Sequence, residues 1–160
     1  MKILIHSSLD FKFEMIKVKK YIEHKTEHCV VLPELIRYQY IRDKMGDDGT
    51  FTKIKNRLTK DNLKNVADCD CLLILNYTHR GIENYVGGNS FMEMVVAFYY
   101  NKPIYLLNEI PKAMNYTEEI KALYPTIVYD IDNFVKTISE DALCDMESID
   151  VSNIAEINKV

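Results

Sequence analysis

The stretch Cys71 to Leu107 constrains the fold more than any other part of the chain. An apolar run, CLLILN, leads into a polar loop, YTHRGIENYVGGN. An apolar run of helical length, SFMEMVVAFYYN, follows, and then a second short apolar run, KPIYLL. Strand, loop, helix and strand in that order make a βαβ unit, which demands a parallel sheet. Glu93 is the one charged residue between Ser90 and Tyr100. An ionised carboxylate inside an apolar run is costly unless something pairs with it. It falls in the first turn of the helix, just past the carboxyl end of a strand. Parallel α/β sheets bind ligands at that edge.

The rest of the chain repeats the alternation. Lys2 to His6 is an apolar run punctuated by Ser7 and Ser8, a good first strand. Asp10 is placed to cap the next helix, which runs to about His24. Cys29 to Leu32 is the second strand, stopped by Pro33, which has no amide hydrogen for a ladder. Residues 34–44 read as a helix, MGDDGT at 45–50 as a turn, and Phe51 to Ala67 as a helix. Strands at 71–75, 103–107 and 126–129 follow, with helices at 90–101, 118–123 and 132–139. Five strands alternating with helices predict an α/β, flavodoxin-like doubly wound parallel sheet in the order 2-1-3-4-5. Residues 1–140 read as that domain, and 141–160 as a polar acidic tail, a frayed helix or disordered.

Composition excludes several classes of function. The net charge of −4 gives no basic face for nucleic acid. Lys17, Lys19 and Lys20 read as a solvated helix face. Cys29, Cys69, Cys71 and Cys144 have no zinc spacing, so free thiols in a reducing cytoplasm are expected and no metal site. MKILIHSS is too short in apolar length for a signal peptide, and no run reaches membrane-spanning length. A cytoplasmic protein without membrane contact is the expectation.

The segment from Val86 to Glu93 has two readings. Ser90 and Glu93 have the S-x-x-E spacing of a capping box, which ties up two helix-end amides. Gly87 and Gly88 permit a tight approach to the helix. Alternatively, the loop from Asn76 to Asn89 is long for a strand-to-helix connection, and such loops are often functional. Its Tyr77, Asn84, Tyr85 and Asn89 suit stacking on, and hydrogen bonding to, a planar ligand. Ser7 and Ser8 face the same edge, either as strand-end punctuation or as sugar or phosphate contacts. His6 ends an apolar strand and reads as a satisfied core histidine. His79 reads as exposed, or as an acid for a leaving group.

The segments IHSSLD, DCDCLLILNY and GGNSFMEMVVAFYYNKPIYLLN resemble the nucleoside 2-deoxyribosyltransferase superfamily, which includes the 2'-deoxynucleoside 5'-monophosphate N-glycosidases. The resemblance spans roughly residues 1–130. It implies that Glu93 is a nucleophile on the anomeric carbon of a small-molecule nucleoside or nucleotide. It implies substrate contacts at Ser7, Ser8, Asn76, Gly87, Gly88 and Asn89, beside the loop's own Tyr77 and Tyr85, and no cofactor is expected. Transferases of this group often carry Asp, and the monophosphate glycosidases Ser, six residues before that Glu; this chain has Gly87. The base-contacting Asp of the helix before strand three has Asp61 and Asn62 as its nearest counterparts. GGNSxxE is also similar to the PGGxGTxxE motif of cytokinin-type nucleotide phosphoribohydrolases, one residue shorter and without the Pro.

Chemistry of this kind is that of a retaining glycosidase. A helix N-terminus favours the anion, so Glu93 is expected to be ionised at neutral pH. Two other readings stand beside it: a non-catalytic nucleotide-binding module of the same fold, and an interaction protein whose 91–100 helix makes a dimer. That helix is apolar nearly all round, and the resembling families commonly assemble, so a homodimer or larger homo-oligomer is expected.

Overall fold

A computed structural model describes residues 1–34, 36 and 57–150. Its strands are β1 (Lys2–His6), β2 (Cys29–Val31), β3 (Cys71–Ile74), β4 (Ile104–Leu106) and β5 (Thr126–Ile127). They form one parallel sheet in the order β2-β1-β3-β4-β5. Between them lie α1 (Lys12–Lys25), α2 (Leu58–Asp68), α3 (Gly88–Tyr99) and α4 (Thr117–Ala122), with α5 (Ile131–Asp150) after β5. This is the doubly wound order that the sequence predicts. β1 pairs with β2 on one side and β3 on the other. The connections therefore diverge beyond β1 and β3, and the switch point lies there.

Strand parity builds the two faces. Ile3 and Ile5 of β1, with Cys71 and Leu73 of β3 and Tyr105 of β4, pack on Met15, Ile22, Phe134 and Ile138 of α1 and α5. Leu4, Leu72, Ile74, Ile104 and Leu106 point the other way, onto Val66, Met94, Ala97 and Ile120 of α2, α3 and α4. Side chains alternate along a strand, so His6 falls on the face of Leu4, beneath α3. The whole geometry of the site starts from that parity.

The elements differ from expectation mainly at their ends. α3 starts at Gly88, two residues before the expected Ser90. Asp10 caps nothing; it sits in a 3-10 turn, Leu9–Phe11, ahead of α1. α5 continues past the expected end at 139 to Asp150, so that part of the tail takes the helical one of its two expected states. Most of the helix expected at 34–44, the turn at 45–50, the start of the helix from Phe51, and residues 151–160 lie outside the described residues.

Asn76 fastens the carboxyl ends of β3 and β4. Its amide donates to the carbonyls of Asn108 (3.0 Å) and Glu109 (2.9 Å). Its carbonyl oxygen accepts from the Asn108 amide at 2.8 Å. Asn108 returns a bond from its side chain to the Asn76 carbonyl at 3.2 Å. Asn76 is fully buried, so truncation strands several backbone groups without water. Asn76→Ala should lower stability by about 2–3 kcal/mol. Urea unfolding followed by circular dichroism measures this, and a loss below about 0.5 kcal/mol would contradict the clamp.

Candidate functional site

A cleft of about 560 Å³ opens at the carboxyl ends of β1 and β3. His6, Ser7, Ser8, Leu9 and Asp10 line it from β1, and Gly87, Gly88, Asn89, Ser90 and Met92 from the start of α3. The third wall is His79, Arg80 and Tyr85 of the β3–α3 loop. That loop doubles back on itself. His79 and Ile82 exchange backbone hydrogen bonds across Arg80 and Gly81, whose φ angles are 49° and 78°. Two positive φ angles in a two-residue turn are the geometry of a tight hairpin, and Gly at the second suits it.

Aromatic contacts hold the loop in place. The His79 ring lies 5.0 Å from Tyr85 and 5.8 Å from Phe11. Its Nε2 is 3.4 Å from Asp10 Oδ2, so the two loops meet across the mouth of the cleft. The side chains of Ser8, Arg80 and Asn89 have no hydrogen bond or ion pair among the described residues, and all three line the cleft.

A second, much smaller cavity of about 10 Å³ lies behind the first. Thr59, Asn62 and Leu63 of α2 line it, with Asn89, Met92 and Glu93 of α3. Asn89 and Met92 line both cavities and so form the partition between them.

Glu93 and His6 meet at the bottom. The inward stripe of α3 is Ser90, Glu93, Met94 and Ala97, all buried, at the three- and four-residue spacing of one helix face. His6 rises from β1 into the polar end of that stripe. Its Nδ1 is 2.8 Å from Ser90 Oγ, and its Nε2 is 3.2 Å from Glu93 Oε1. His6 and Glu93 are each 2% exposed. The His6–Glu93 approach is close but not aligned as a hydrogen bond, and among the described residues His6 Nε2 and Glu93 Oε2 have no hydrogen-bond partner. Such orphans are rare in buried positions and mark strained or reactive groups.

Two expectations are corrected here. Ser90 and Glu93 do not form a capping box: Gly87 is the N-cap, no side chain caps α3, and Ser90 bonds to His6 instead. Nor is Glu93 held ionised by the helix end. It lies in the second turn, and burial pushes its pKa well above the ordinary carboxylate range. Burial likewise lowers His6 from its ordinary 6.5 to about 4. The two shifts agree: loss of water favours a neutral acid facing a neutral imidazole.

The remaining candidates divide. Ser8, Tyr85, Gly87, Gly88 and Asn89 line the cleft, whereas Asn76 and Glu93, expected in the same pocket, do not. Ser7 lines it too, but its hydroxyl is spent on the Leu75 carbonyl at 2.6 Å. Asn76 is committed to the β3–β4 clamp, and Tyr77 packs on Phe11, 5.1 Å between ring centres. Of the helix α2 pair, Asn62 is buried and faces Glu93 across the small cavity, whereas Asp61 is exposed. The glycines are less demanding than their sequence suggests. A methyl group at Gly88 meets nothing within 4 Å, and one at Gly87 meets Tyr85 Cε1 at 3.4 Å. Sequence reasoning missed His6 as a partner of Glu93, and it missed Arg80 and Met92. The parity of His6 with Leu4 and the three-residue offset of Ser90 and Glu93 were the available signals.

No family model and no curated protein sequence matches this chain. A solved structure does: Clostridium botulinum CMP N-glycosidase, BcmB, aligns over 87% of this chain and 98% of its own. The TM-score is 0.51 and the sequence identity 13%, a likeness of fold.

Lowering the pH should expose the cost of burying His6. The unfolded chain takes up this proton near 6.5, whereas the folded one refuses it until about 4. The unfolded state thus binds more protons in that window, and stability falls as pH falls. Between pH 6.5 and 4 the wild type should lose about 3 kcal/mol that His6→Gln retains. Urea titrations at a series of pH values check this; parallel curves would contradict it.

Proposed function

We propose that this protein cleaves, or transfers across, the N-glycosidic bond of a nucleoside or nucleoside 5'-monophosphate, with Glu93 as nucleophile. One observation carries the reading. A carboxyl group with an unpartnered oxygen is buried beside a polar cleft at the switch point of a doubly wound sheet. The similarity in fold to a CMP N-glycosidase, and the motif resemblance around Glu93, favour the same chemistry.

The mechanism follows from that of a retaining glycosidase. The base departs with the electron pair of the C1'–N bond, and C1' becomes oxocarbenium-like. A Glu93 oxygen attacks C1' and forms a glycosyl ester. Water, or an acceptor base, then attacks C1' and releases the Glu93 carboxylate. In this reading Asn62 contacts sugar hydroxyls from the small cavity. Arg80, Ser8, and the Gly88 and Asn89 amides suit a 5'-phosphate, since a helix N-terminus presents unbonded N–H groups. Tyr85 and His79 offer ring faces to the base. The sugar reaches Glu93 only when the Asn89–Met92 partition opens, and Met92 is 41% exposed and unbranched, a side chain suited to that movement.

A homodimer completes the reading. Met92, Val95, Phe98 and Tyr99 leave a large apolar face of α3 in solvent, continuous with the partition. The second reading, a nucleotide-binding module without turnover, is favoured by the 2% exposure of Glu93.

A panel of nucleosides and nucleotides, with released base read by chromatography, separates the two. Glu93→Gln should keep the fold, because a neutral amide replaces a neutral acid and no cap contact is lost. It should lower base release by at least about a thousandfold. A 2'-fluoro-arabino nucleotide should leave a glycosyl adduct on the peptide containing Glu93, seen by mass spectrometry. Wild-type rates in Glu93→Gln would remove Glu93 from the chemistry.

A further inference from the structure

A nucleophilic carboxyl that is neutral at rest must lose a proton before it attacks. We propose that His6 is the acceptor of that proton, held in place by a hydrogen bond to Ser90, and that the pair makes Glu93 a nucleophile only when a ligand fills the cleft. This rests on the glycosidase reading for its consequence, but not for its geometry. His6 is a positioning residue here, and so is Ser90, because both act through Glu93.

The geometry assigns each atom a role. His6 Nδ1 sits 2.8 Å from Ser90 Oγ, and His6 Nε2 sits 3.2 Å from Glu93 Oε1. A serine hydroxyl can accept from Nδ1–H or donate to a bare Nδ1, so this contact is compatible with either tautomer, and the proton transfer uses the one with the proton on Nδ1. With Nδ1–H donated to Ser90, the Nε2 lone pair is left facing the carboxyl group. Among the described residues, Nε2 is buried without a hydrogen-bond partner, and so is Oε2 of Glu93, the group it faces. A small ring rotation aligns Nε2 with the acid; catalytic hydrogen bonds are often misaligned before substrate binds and tighten afterwards.

The proton then moves from the Glu93 carboxyl to Nε2, leaving a carboxylate and an imidazolium. The imidazolium donates Nε2–H to Glu93 and Nδ1–H to Ser90, so neither charge is left unpaired. The step conserves charge: a neutral pair becomes an ion pair, and no other reactant is needed. When the ester forms at C1', the carboxylate charge is consumed and the departing base carries the electron pair. When water resolves the ester, the proton that the water loses goes to the departed base anion, the carboxylate is restored beside the imidazolium, and His6 returns its own proton to Glu93.

The surroundings make ligand the trigger. From α2 the array faces Thr59, Asn62 and Leu63, which carry no charge. From the β1 and β3 loops the same cleft presents Asp10, His79, Arg80 and Tyr85. Asp10 is engaged with His79 at 3.4 Å, so the described charges near the cleft include little that favours an imidazolium at rest. A phosphate dianion in the cleft that His6 lines adds that missing charge. A sugar developing positive charge against Glu93 favours the carboxylate from the other side. A nucleotide therefore turns on its own nucleophile, and a phosphate raises the turnover number rather than affinity alone.

Two measurements test this. The first does not depend on turnover: nitrogen-15 NMR of the His6 ring in the wild type at pH 7. The free protein should give a neutral ring with the proton on Nδ1. Saturation with ribose 5-phosphate should protonate Nε2, and the shift should vanish in Glu93→Gln, which has no proton to give. An imidazolium in the free protein, or a ring unchanged by bound ribose 5-phosphate, overturns the proposal. The second is the pH profile of base release. His6→Gln should lower kcat at pH 7 by about a hundredfold and recover as pH rises, because Glu93 must then give its proton to water. An equal loss at every pH marks a merely structural role and also overturns it. A wild type that releases no base from any nucleotide refutes the glycosidase reading, while the NMR result still decides the fate of His6.

Discussion

Everything at the site depends on the pairing of β1 with β3. Ile3 to His6 run beside Cys71 to Ile74 in parallel register, and the Leu75 amide extends the ladder by bonding to the His6 carbonyl. Parallel pairing sends both chains out at the same edge. One turns back toward α1 and the other into the loop before α3, so polar residues from distant parts of the chain meet there. A one-residue slip of β1 would turn His6 toward the α1–α5 face and bring Ser7 under α3. Ser7 opposes that slip, because its hydroxyl is bonded to the Leu75 carbonyl.

Once in place, the site is governed by dryness more than by charge. The helix-end field acts on the first turn, and Glu93 lies beyond it. Burial shifts both groups, and it moves the acid and the imidazole toward neutrality together. A dry neutral pair is a stable resting state, since an isolated buried ion would be far costlier. It also has latent reactivity, because the ionic form differs from it by one proton moved across 3.2 Å.

The sheet order was legible because the signal was repetitive. Each apolar run is bounded by polar or turn residues, and consecutive strands joined by helices have few arrangements open to them. The cleft was legible in outline for the same reason: Ser8, Gly88 and Asn89 sit just beyond strand ends or at a helix start. What was not legible depended on contacts between segments. S-x-x-E spacing fits a cap and an inward helix stripe equally well, and only the start of α3 at Gly88 separates them. His6 looked like a core residue, and it is one; that its ring nitrogens point at Ser90 and Glu93 is a tertiary fact. Asn76 had the composition of a ligand contact but is consumed by the β4 end.

Gly87 has an ordinary extended backbone, with φ −68° and ψ 158°, so its conformation does not require glycine. What occupies the space of its missing side chain is the ring of Tyr85, 3.4 Å from where a methyl group would stand. An alanine fits against that ring, but any longer group along the same direction competes with it for volume. The backbone of Gly87 and the ring of Tyr85 thus share one wall of the cleft, and the size of one bears on the room left for the other. A side chain longer than alanine at Gly87 therefore displaces the Tyr85 ring, and with it the edge of the cleft that the ring forms.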